Sequence, residues 1–230
     1  MSSARLLPLA LALVAPLLTA CVGGDPTIGL LVADRSDSTS RAVAVQAFTD
    51  RVEATCDECR VTVYDAEGDA ETQKSQARQA EAASVDVLVV VPVEPDGMEA
   101  LVSRDLPVVS LGELVPGSDR FVGLVGGEVP VQRGSDLEAA REVLMGEEES
   151  MTYVPTRAMT EQAADVAVAF LADTTPAGGE DVDGVETWLY EDVEVTLDTL
   201  TTVLVADGAI TLDDLCGGTT AGRCVRWGLR

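Results

Sequence analysis

From residue 27 onward, short apolar runs alternate with longer segments in which apolar residues recur every three or four positions. Such runs are typical of buried strands, and such spacing is typical of amphipathic helices. Strands separated by helices of this length form right-handed βαβ units in a parallel sheet. We therefore predict an α/β fold, an open and mostly parallel sheet with helices on both faces that forms a single Rossmann-like lobe. The predicted strands are 27–32, 60–64, 85–91, 106–111 and 121–125, and the helices between them are 41–55, 70–83 and 95–103.

The pattern changes after residue 130. We nevertheless assign residues 27–175 to one α/β lobe, which includes this change, and residues 176–230 to a strand–helix tail whose end is closed by cysteines. The elements predicted in this half are a helix over 135–150, a short strand over 151–154, a helix over 156–173, a loop over 174–184, a strand over 185–192 and a helix over 196–208.

The N-terminal residues indicate export and anchoring. Arg5 precedes an apolar run over residues 6–18, which is too short to span a bilayer and has the length of a signal-peptide core. The tetrapeptide LTAC that ends at Cys21 resembles the bacterial lipobox, which implies cleavage before Cys21 and a diacylglycerol on its sulfur. An ordinary secretory signal is the alternative. We expect residues 1–20 to be a lipoprotein signal peptide, residues 21–26 a tether, and the protein to lie on the extracytoplasmic face of the bacterial cell membrane.

Composition excludes several classes of function. The chain has 40 acidic and 15 basic residues, a formal charge of −25, which disfavours nucleic acid and an anionic lipid surface. We therefore expect membrane contact through the lipid anchor only. The chain has no histidine and a single lysine, Lys74, which removes histidine-based catalysis and histidine-ligated zinc. Since no nucleophile–base pair is visible either, we expect no enzyme, no cofactor and no metal site.

The cysteines fall into local pairs. Apart from Cys21 the chain has Cys56, Cys59, Cys216 and Cys224, for which three connectivities exist. Proximity favours Cys56–Cys59 and Cys216–Cys224, each of which closes a small loop. A redox role for the first pair is disfavoured because the two residues between its cysteines are acidic and oppose thiolate formation.

Several segments in their order resemble a known family. They are the LTAC tetrapeptide, IGLLVADRSDSTSR, a CxxC after the first helix, SVDVLVVVPVEPDGMEALV, LPVVSLGEL and VTLDTLTTVLVADGAITLDDLC. Together they resemble the xylose/ribose type of bacterial sugar-binding lipoprotein, the solute receptors of ABC importers with the type I periplasmic-binding-protein fold. The resemblance covers residues 18–130 and 151–224. It also implies that both cysteine pairs are structural.

The same resemblance exposes departures from the family. The family has two α/β lobes that grip a sugar between them, whereas only residues 131–150 lie between the two matching parts of this chain. A domain seldom folds in fewer than ~50 residues, so we expect most of the second lobe to be missing and 131–150 to replace it. Ala42 stands where the family has an aromatic residue that stacks on the sugar. Gly112 and Glu113 stand where it has an Asp-Arg pair, and the VGG of residues 125–127 stands where it has an Asp-Asn pair.

Candidate ligand-binding residues remain at one edge of the predicted sheet. Ligand sites in such sheets lie at the carboxyl ends of the strands. Asp34, Arg35, Asp37 and Arg41 follow the first strand, and Glu113 follows the fourth. Helix capping and surface ion pairs are the alternative roles for the first four residues.

Three functions follow from these observations. The first is a monosaccharide-binding component of an ABC importer, with at best millimolar affinity, which meets an ABC permease and rebuilds its cleft by dimerising. The second is a non-transport protein-interaction or sensory module that contacts another surface protein. An enzyme is the third and the least supported.

Overall fold

The computed structural model describes residues 24–34, 45–98, 106–126 and 135–230. Its strands are β1 (Thr27–Val32), β2 (Arg60–Asp65), β3 (Val87–Val90), β4 (Val108–Gly112), β5 (Arg120–Leu124), β6 (Ser150–Tyr153), β7 (Glu180–Val182), β8 (Val185–Tyr190) and β9 (Val193–Thr196). Its α-helices are α1 (Val45–Thr55), α2 (Ala70–Ala82), α3 (Asp136–Met145), α4 (Thr156–Leu171), α5 (Leu212–Leu215) and α6 (Ala221–Arg226). A π-helix covers Thr201–Val205, and a 3₁₀ turn covers Gly218–Thr220.

A seven-stranded sheet in the order β2-β1-β3-β4-β5-β8-β7 forms the centre of the molecule. All pairings are parallel except that of the edge strand β7 with β8. All four residues of β3 are buried, because helices cover both faces of a strand in this position. The predicted open, mostly parallel sheet is confirmed.

Helices pack on both faces of this sheet, as predicted. One face carries Leu30, Val89 and Val122, which share a hydrophobic core with residues of α1 and α4. The opposite face carries Leu31 and Leu88, which pack with alanines of α2. This alternation follows from the two-residue repeat of a strand.

A smaller structural unit has its own hydrophobic core. Strands β6 and β9 form an antiparallel pair, and the core beside them includes the fully buried Leu144, Leu200, Leu204 and Leu215. We call this unit, residues 135–153 and 193–230, the small cluster. Helix α3 within it begins at a capping box, in which Ser135 and Glu138 bond each other's backbone N–H groups.

The expected tail over 176–230 is distributed over both units. Strands β7 and β8 extend the large sheet, whereas β9 and the residues after it belong to the small cluster. The domain boundaries drawn from the sequence remain a prediction.

Four predicted elements differ from the structure. The helix expected over 95–103 does not begin at Pro95, because residues 95–98 form a turn in which Gly97 has a φ of 97°. The loop over 174–184 contains β7, whose three residues are all exposed and therefore carry no hydrophobic pattern. The helix over 196–208 is a π-helix of five residues preceded by β9, because Val193 and Val195 alternate with polar residues and pair with β6. Helix α3 ends before Gly146, whose φ of 78° is left-handed, and not at residue 150.

Some predictions fall outside the described residues. They are the signal peptide, the modified Cys21, the start of the helix over 41–55 and the end of the helix over 95–103. No helix among the described residues has the length and apolar character that a membrane span requires.

Both predicted disulfides are present. Cys56–Cys59 closes the turn after α1, and Cys216–Cys224 joins the residue after α5 to α6 in the core of the small cluster.

Candidate functional site

The strands β1, β3, β4 and β5 are parallel, so their carboxyl ends lie at one edge of the large sheet. We call this edge, with the described residues that follow these four strands (33–34, 91–98, 113–118 and 125–126), the carboxyl edge. The crevice outside such an edge is the usual ligand site of an open α/β sheet.

Backbone hydrogen bonds hold the end of β1. The Val32 carbonyl accepts a bond of 3.0 Å from Ala66 N–H, and the Ala33 carbonyl accepts one of 2.8 Å from Gly68 N–H. Asp34 follows directly, is half-buried and takes part in a polar interaction. The other three residues predicted here, Arg35, Asp37 and Arg41, lie outside the described residues.

A buried glutamine on α2 fixes the end of β3. The Gln73 side chain donates to the Val91 carbonyl at 2.8 Å and accepts from Val93 N–H at 2.9 Å. Its neighbour Lys74 bonds Glu71 at 2.8 Å, and this bond raises the pKa of Lys74. Because Gln73 is fully buried and satisfies both backbone groups, it sets the path of residues 91–93.

A pair of serines shapes the end of β4. The Ser110 and Ser118 hydroxyl oxygens lie 2.5 Å apart, and Ser110 also accepts a bond of 3.0 Å from Val115 N–H. Gly112, at a φ of 86°, precedes Glu113, and a Cβ on Gly112 would meet no atom of the described residues within 4 Å. The loop is therefore fixed at its base, and its tip at Gly112 is not covered by any described residue.

The end of β5 is exposed and apolar. Val125 N–H donates to the Tyr190 carbonyl of β8 at 2.8 Å, but the Val125 side chain is 57% exposed. Leu114, in the neighbouring loop, is 43% exposed. Burial, together with the charges of Asp165 and Glu161, raises the pKa of Tyr190.

The carboxyl edge offers acceptors and apolar surface. Its four charged residues are all acidic: Asp34, Glu94, Asp96 and Glu113. The described residues of the edge include no arginine, lysine or aromatic side chain. β1 and β4 are two strand spacings apart, so Asp34 and Glu113 start from positions about 10 Å apart. The described residues also contain no cluster of potential ligands that could hold a metal ion.

Sequence reasoning missed the residues that build this edge. Gln73 lies on the buried stripe of α2 with Ala77 and Ala80, at positions i, i+4 and i+7. A polar residue on such a stripe signals a buried hydrogen-bonding role. Ser110 gives the same signal, since it interrupts an apolar strand.

Solved structures resemble this chain in fold. A solute-binding protein of an ABC transporter from Clostridium phytofermentans, solved with β-D-glucose, has a TM-score of 0.65 and 11% identity, and the match covers 82% of this chain and 99% of the solved one. A Caulobacter myo-inositol-binding protein has a TM-score of 0.60 and 12% identity over 78% and 96% of the two chains. A periplasmic ribose ABC transporter protein from Conexibacter woesei has a TM-score of 0.53 and 12% identity over 88% and 97%.

Comparison of the amino-acid sequence with known families and proteins finds no match. No family model matches the chain, and no curated protein matches it. At 11–12% identity the structural matches establish the fold and leave ligand and activity open. The strand order, the helices on both faces and these matches together identify the fold as that of the type I periplasmic binding proteins, as represented by sugar-binding proteins of ABC transporters.

Proposed function

We propose that this protein is a lipid-anchored, extracytoplasmic homologue of the solute-binding proteins of ABC sugar importers, with weak or no monosaccharide binding. The observation that carries this proposal is the open tip at Gly112 and Glu113. The described residues that follow β1, β3, β4 and β5 supply carboxylates but no cationic or aromatic side chain, and the nearby Lys74, which lies against Gly97, is bonded to Glu71.

The free energy of binding disfavours a small sugar at such an edge. A monosaccharide is fully hydrogen-bonded in water, and its binding costs several kcal/mol of translational and rotational freedom. Tight sites offset this cost by enclosing the ligand and by charge-assisted hydrogen bonds of about 1.5–3 kcal/mol each. An open loop tip with one half-buried carboxylate supplies little of either.

The size of the small cluster supports a reduced second lobe. Its sheet has two strands, against seven in the large sheet. We propose that residues 131–150 replace most of that lobe, and that any enclosed site arises only when two copies pair. Light scattering on the eluting protein tests this, because a strict monomer excludes a rebuilt cleft.

Calorimetry tests sugar binding directly. A chain of residues 22–230 retains every described strand, helix and disulfide and lacks the anchor. We expect dissociation constants in the millimolar range or weaker for ribose, xylose, glucose and myo-inositol. Micromolar binding contradicts the proposal, and its loss in Glu113→Gln but not in Glu53→Gln, a control on α1, then assigns the site to the carboxyl edge.

A binding role without transport is the second candidate. The exposed Leu114 and Val125 favour it, because apolar side chains at an open edge suit a protein surface better than a sugar. The partner is then another surface protein or, for a transport component, an ABC permease. The binding-protein neighbours support a non-enzymatic role.

Anchoring at Cys21 is proposed from the sequence alone. The experiment is expression of the full chain in a bacterial host with Cys21→Ser as the variant. We expect the natural chain in the membrane fraction with a diacylglyceryl mass increment, and the variant without that increment. An unmodified Cys21 on the mature protein contradicts the proposal.

A further inference from the structure

The segment before β1 contains a type of peptide bond that occurs once in the chain. Residues 24–27 read GDPT, and Asp25–Pro26 is the only bond in the sequence that joins an aspartate to a following proline. Such a bond is open to attack by its own side chain, because the aspartate carboxylate and the backbone carbonyl carbon can close a five-membered ring. Proline also favours cleavage, since its ring nitrogen leaves as a basic secondary amine.

The folded structure holds both sides of this bond. The Asp25 carboxylate accepts two hydrogen bonds on Oδ2, of 2.8 Å from Arg60 Nε and 2.5 Å from Arg60 Nη2. Its other oxygen, Oδ1, accepts no hydrogen bond from a described residue. The Pro26 carbonyl accepts a bond of 2.8 Å from the Arg60 N–H, which ties the residue after the bond to β2. A single residue of the sheet therefore fixes the carboxylate and the proline on either side of the bond.

A hydroxyl group is bonded to the carbonyl of the same bond. Thr27 Oγ1 donates a hydrogen bond of 3.2 Å to the Asp25 carbonyl oxygen. When a nucleophile adds to a carbonyl carbon, negative charge develops on the oxygen, and a donor already in place stabilises it. Thr27 is itself held at the start of β1, because its N–H donates to the Asp86 carboxylate at 2.8 Å. The sheet thus sets the position of this donor.

We propose that Asp25–Pro26 is a self-cleavage site. Oδ1 of Asp25 attacks the carbonyl carbon of its own residue and forms a cyclic anhydride, while the C–N bond breaks and the proline nitrogen takes a proton from solvent. Water then opens the anhydride. The products are a chain that ends at Asp25 with two carboxyl groups and a chain that begins with the amine of Pro26. One water molecule is consumed, and nothing is oxidised or reduced.

Mild acid should accelerate this reaction. The proline nitrogen leaves only with a proton, so the supply of protons limits the step at neutral pH. The charged groups on the elements beside Asp25 are Arg60 of β2, Asp86 before β3, and Asp57 and Glu58 in the turn before β2. Arg60 is bonded to Asp25, and both side chains are largely exposed, so protons and water reach the bond from solvent.

Cleavage at this bond separates the folded domain from the segment before it. Strand β1 begins at Thr27, so the product that starts at Pro26 retains every described strand and helix. An anchored domain is thereby released into an acidic medium. This consequence rests on the anchor proposed at Cys21, whereas the cleavage itself does not. The bond lies at the amino end of β1, opposite the carboxyl edge, so release leaves that edge unchanged.

Intact-mass spectrometry of the full chain, produced in a bacterial host, measures the cleavage. We expect a product whose first residue is Pro26, formed about tenfold faster at about pH 5 than at about pH 8. Asp25→Glu should abolish this product, because the longer side chain keeps the charge but closes a less favourable ring. Thr27→Val should slow cleavage by about tenfold, since it removes the donor to the carbonyl. Thr62→Val, an exposed change on β2, is the matched control and should leave the rate unchanged.

Unfolding distinguishes a folded site from the ordinary reactivity of an aspartate–proline bond. The folded chain should be cleaved faster than the same chain in urea at the same pH, because urea removes the contacts of Thr27 and Arg60. Equal rates with and without urea, no product that begins at Pro26, or an unchanged rate in Thr27→Val overturns the proposal.

Membranes from the same host show whether cleavage releases the domain. Acid should move the natural protein to the soluble fraction and should leave Asp25→Glu in the membrane. A protein that is soluble before acid treatment contradicts the anchor at Cys21, and the mass of its cleavage product still decides the proposal for Asp25–Pro26.

Discussion

Arg51 of α1 and Asp165 of α4 form a bidentate ion pair, in which Nε and Nη2 each donate a hydrogen bond of 2.7 Å to one carboxylate oxygen. This hydrogen bonding and the charge of Asp165 raise the pKa of Arg51. The pair fixes the register of two helices that cover the same face of the large sheet.

We expect Arg51→Ala to lower the free energy of unfolding by about 0.5–1 kcal/mol, since both side chains are partly exposed and solvent screens the pair. Urea unfolding measures the loss, and a double-mutant cycle with Asp165→Ala isolates the pairwise energy. The pair Arg157–Glu161, with a single bond within one helix, is the control and should show a smaller coupling energy. A coupling near zero for Arg51 and Asp165 contradicts the role assigned to them.

Replacing Gln73 should loosen the carboxyl edge. Gln73→Ala leaves the Val91 carbonyl and the Val93 N–H without their partner in a buried position, which costs about 1–3 kcal/mol. Hydrogen exchange should become faster over residues 91–98. Gln79→Ala, an exposed change on the same helix, should leave exchange there unchanged.

The Tyr153 hydroxyl should make the stability of the small cluster depend on pH in the alkaline range. Burial and the hydrogen bond to Asp207 raise the pKa of Tyr153 well above its ordinary value of 10.0. The stability that the protonated Tyr153 hydroxyl contributes is fully present below pH 10. It decreases above pH 10, because the unfolded chain then releases the proton whereas the folded chain keeps it. The free energy of unfolding then falls by about 1.4 kcal/mol per pH unit from this residue.

Urea midpoints at a series of pH values from 8 to 11 measure this dependence. In Tyr153→Phe the protein should be less stable at pH 8 but should lose less stability between pH 10 and 11. An unchanged slope in the variant means that Tyr153 is not responsible. Tyr190→Phe is a useful comparison, since the pKa of Tyr190 is also raised.

Removing the disulfide Cys216–Cys224 should destabilise the small cluster more than the large sheet. Loop-closure entropy predicts a loss of about 2.5 kcal/mol for a loop of this size and about 2 kcal/mol for Cys56–Cys59. Hydrogen exchange of the double alanine variant of Cys216 and Cys224 should increase over residues 212–229. The corresponding variant of Cys56 and Cys59 should instead affect the end of α1. Similar exchange patterns in both variants argue against two separate cores.

The large sheet was predictable from the sequence because its central strands are almost continuously apolar. Strands β1, β3 and β4 are almost entirely buried, so nearly every residue in them is apolar. Strand β7 gave no such signal, because its residues are exposed and its pairing with β8 is antiparallel. In the π-helix, β-branched residues weaken helix propensity, and β9 includes Thr196, the first residue of the predicted helix.

The candidate site was predictable in position but not in construction. Strand polarity alone places Asp34 and Glu113 at the carboxyl edge. The contacts of Gln73 with residues 18 and 20 positions away depend on how α2 packs, which no local pattern encodes. The roles of Arg35, Asp37 and Arg41 remain predictions, since these residues lie outside the described part of the chain.

The short strand β7 also bears on how the protein behaves at high concentration. A sheet with a free edge can recruit strands from neighbouring molecules and grow into aggregates. This edge is only three residues long, and two of them, Glu180 and Asp181, are acidic and exposed. Like charges on two such edges repel, so the large sheet resists edge-to-edge polymerisation on this side.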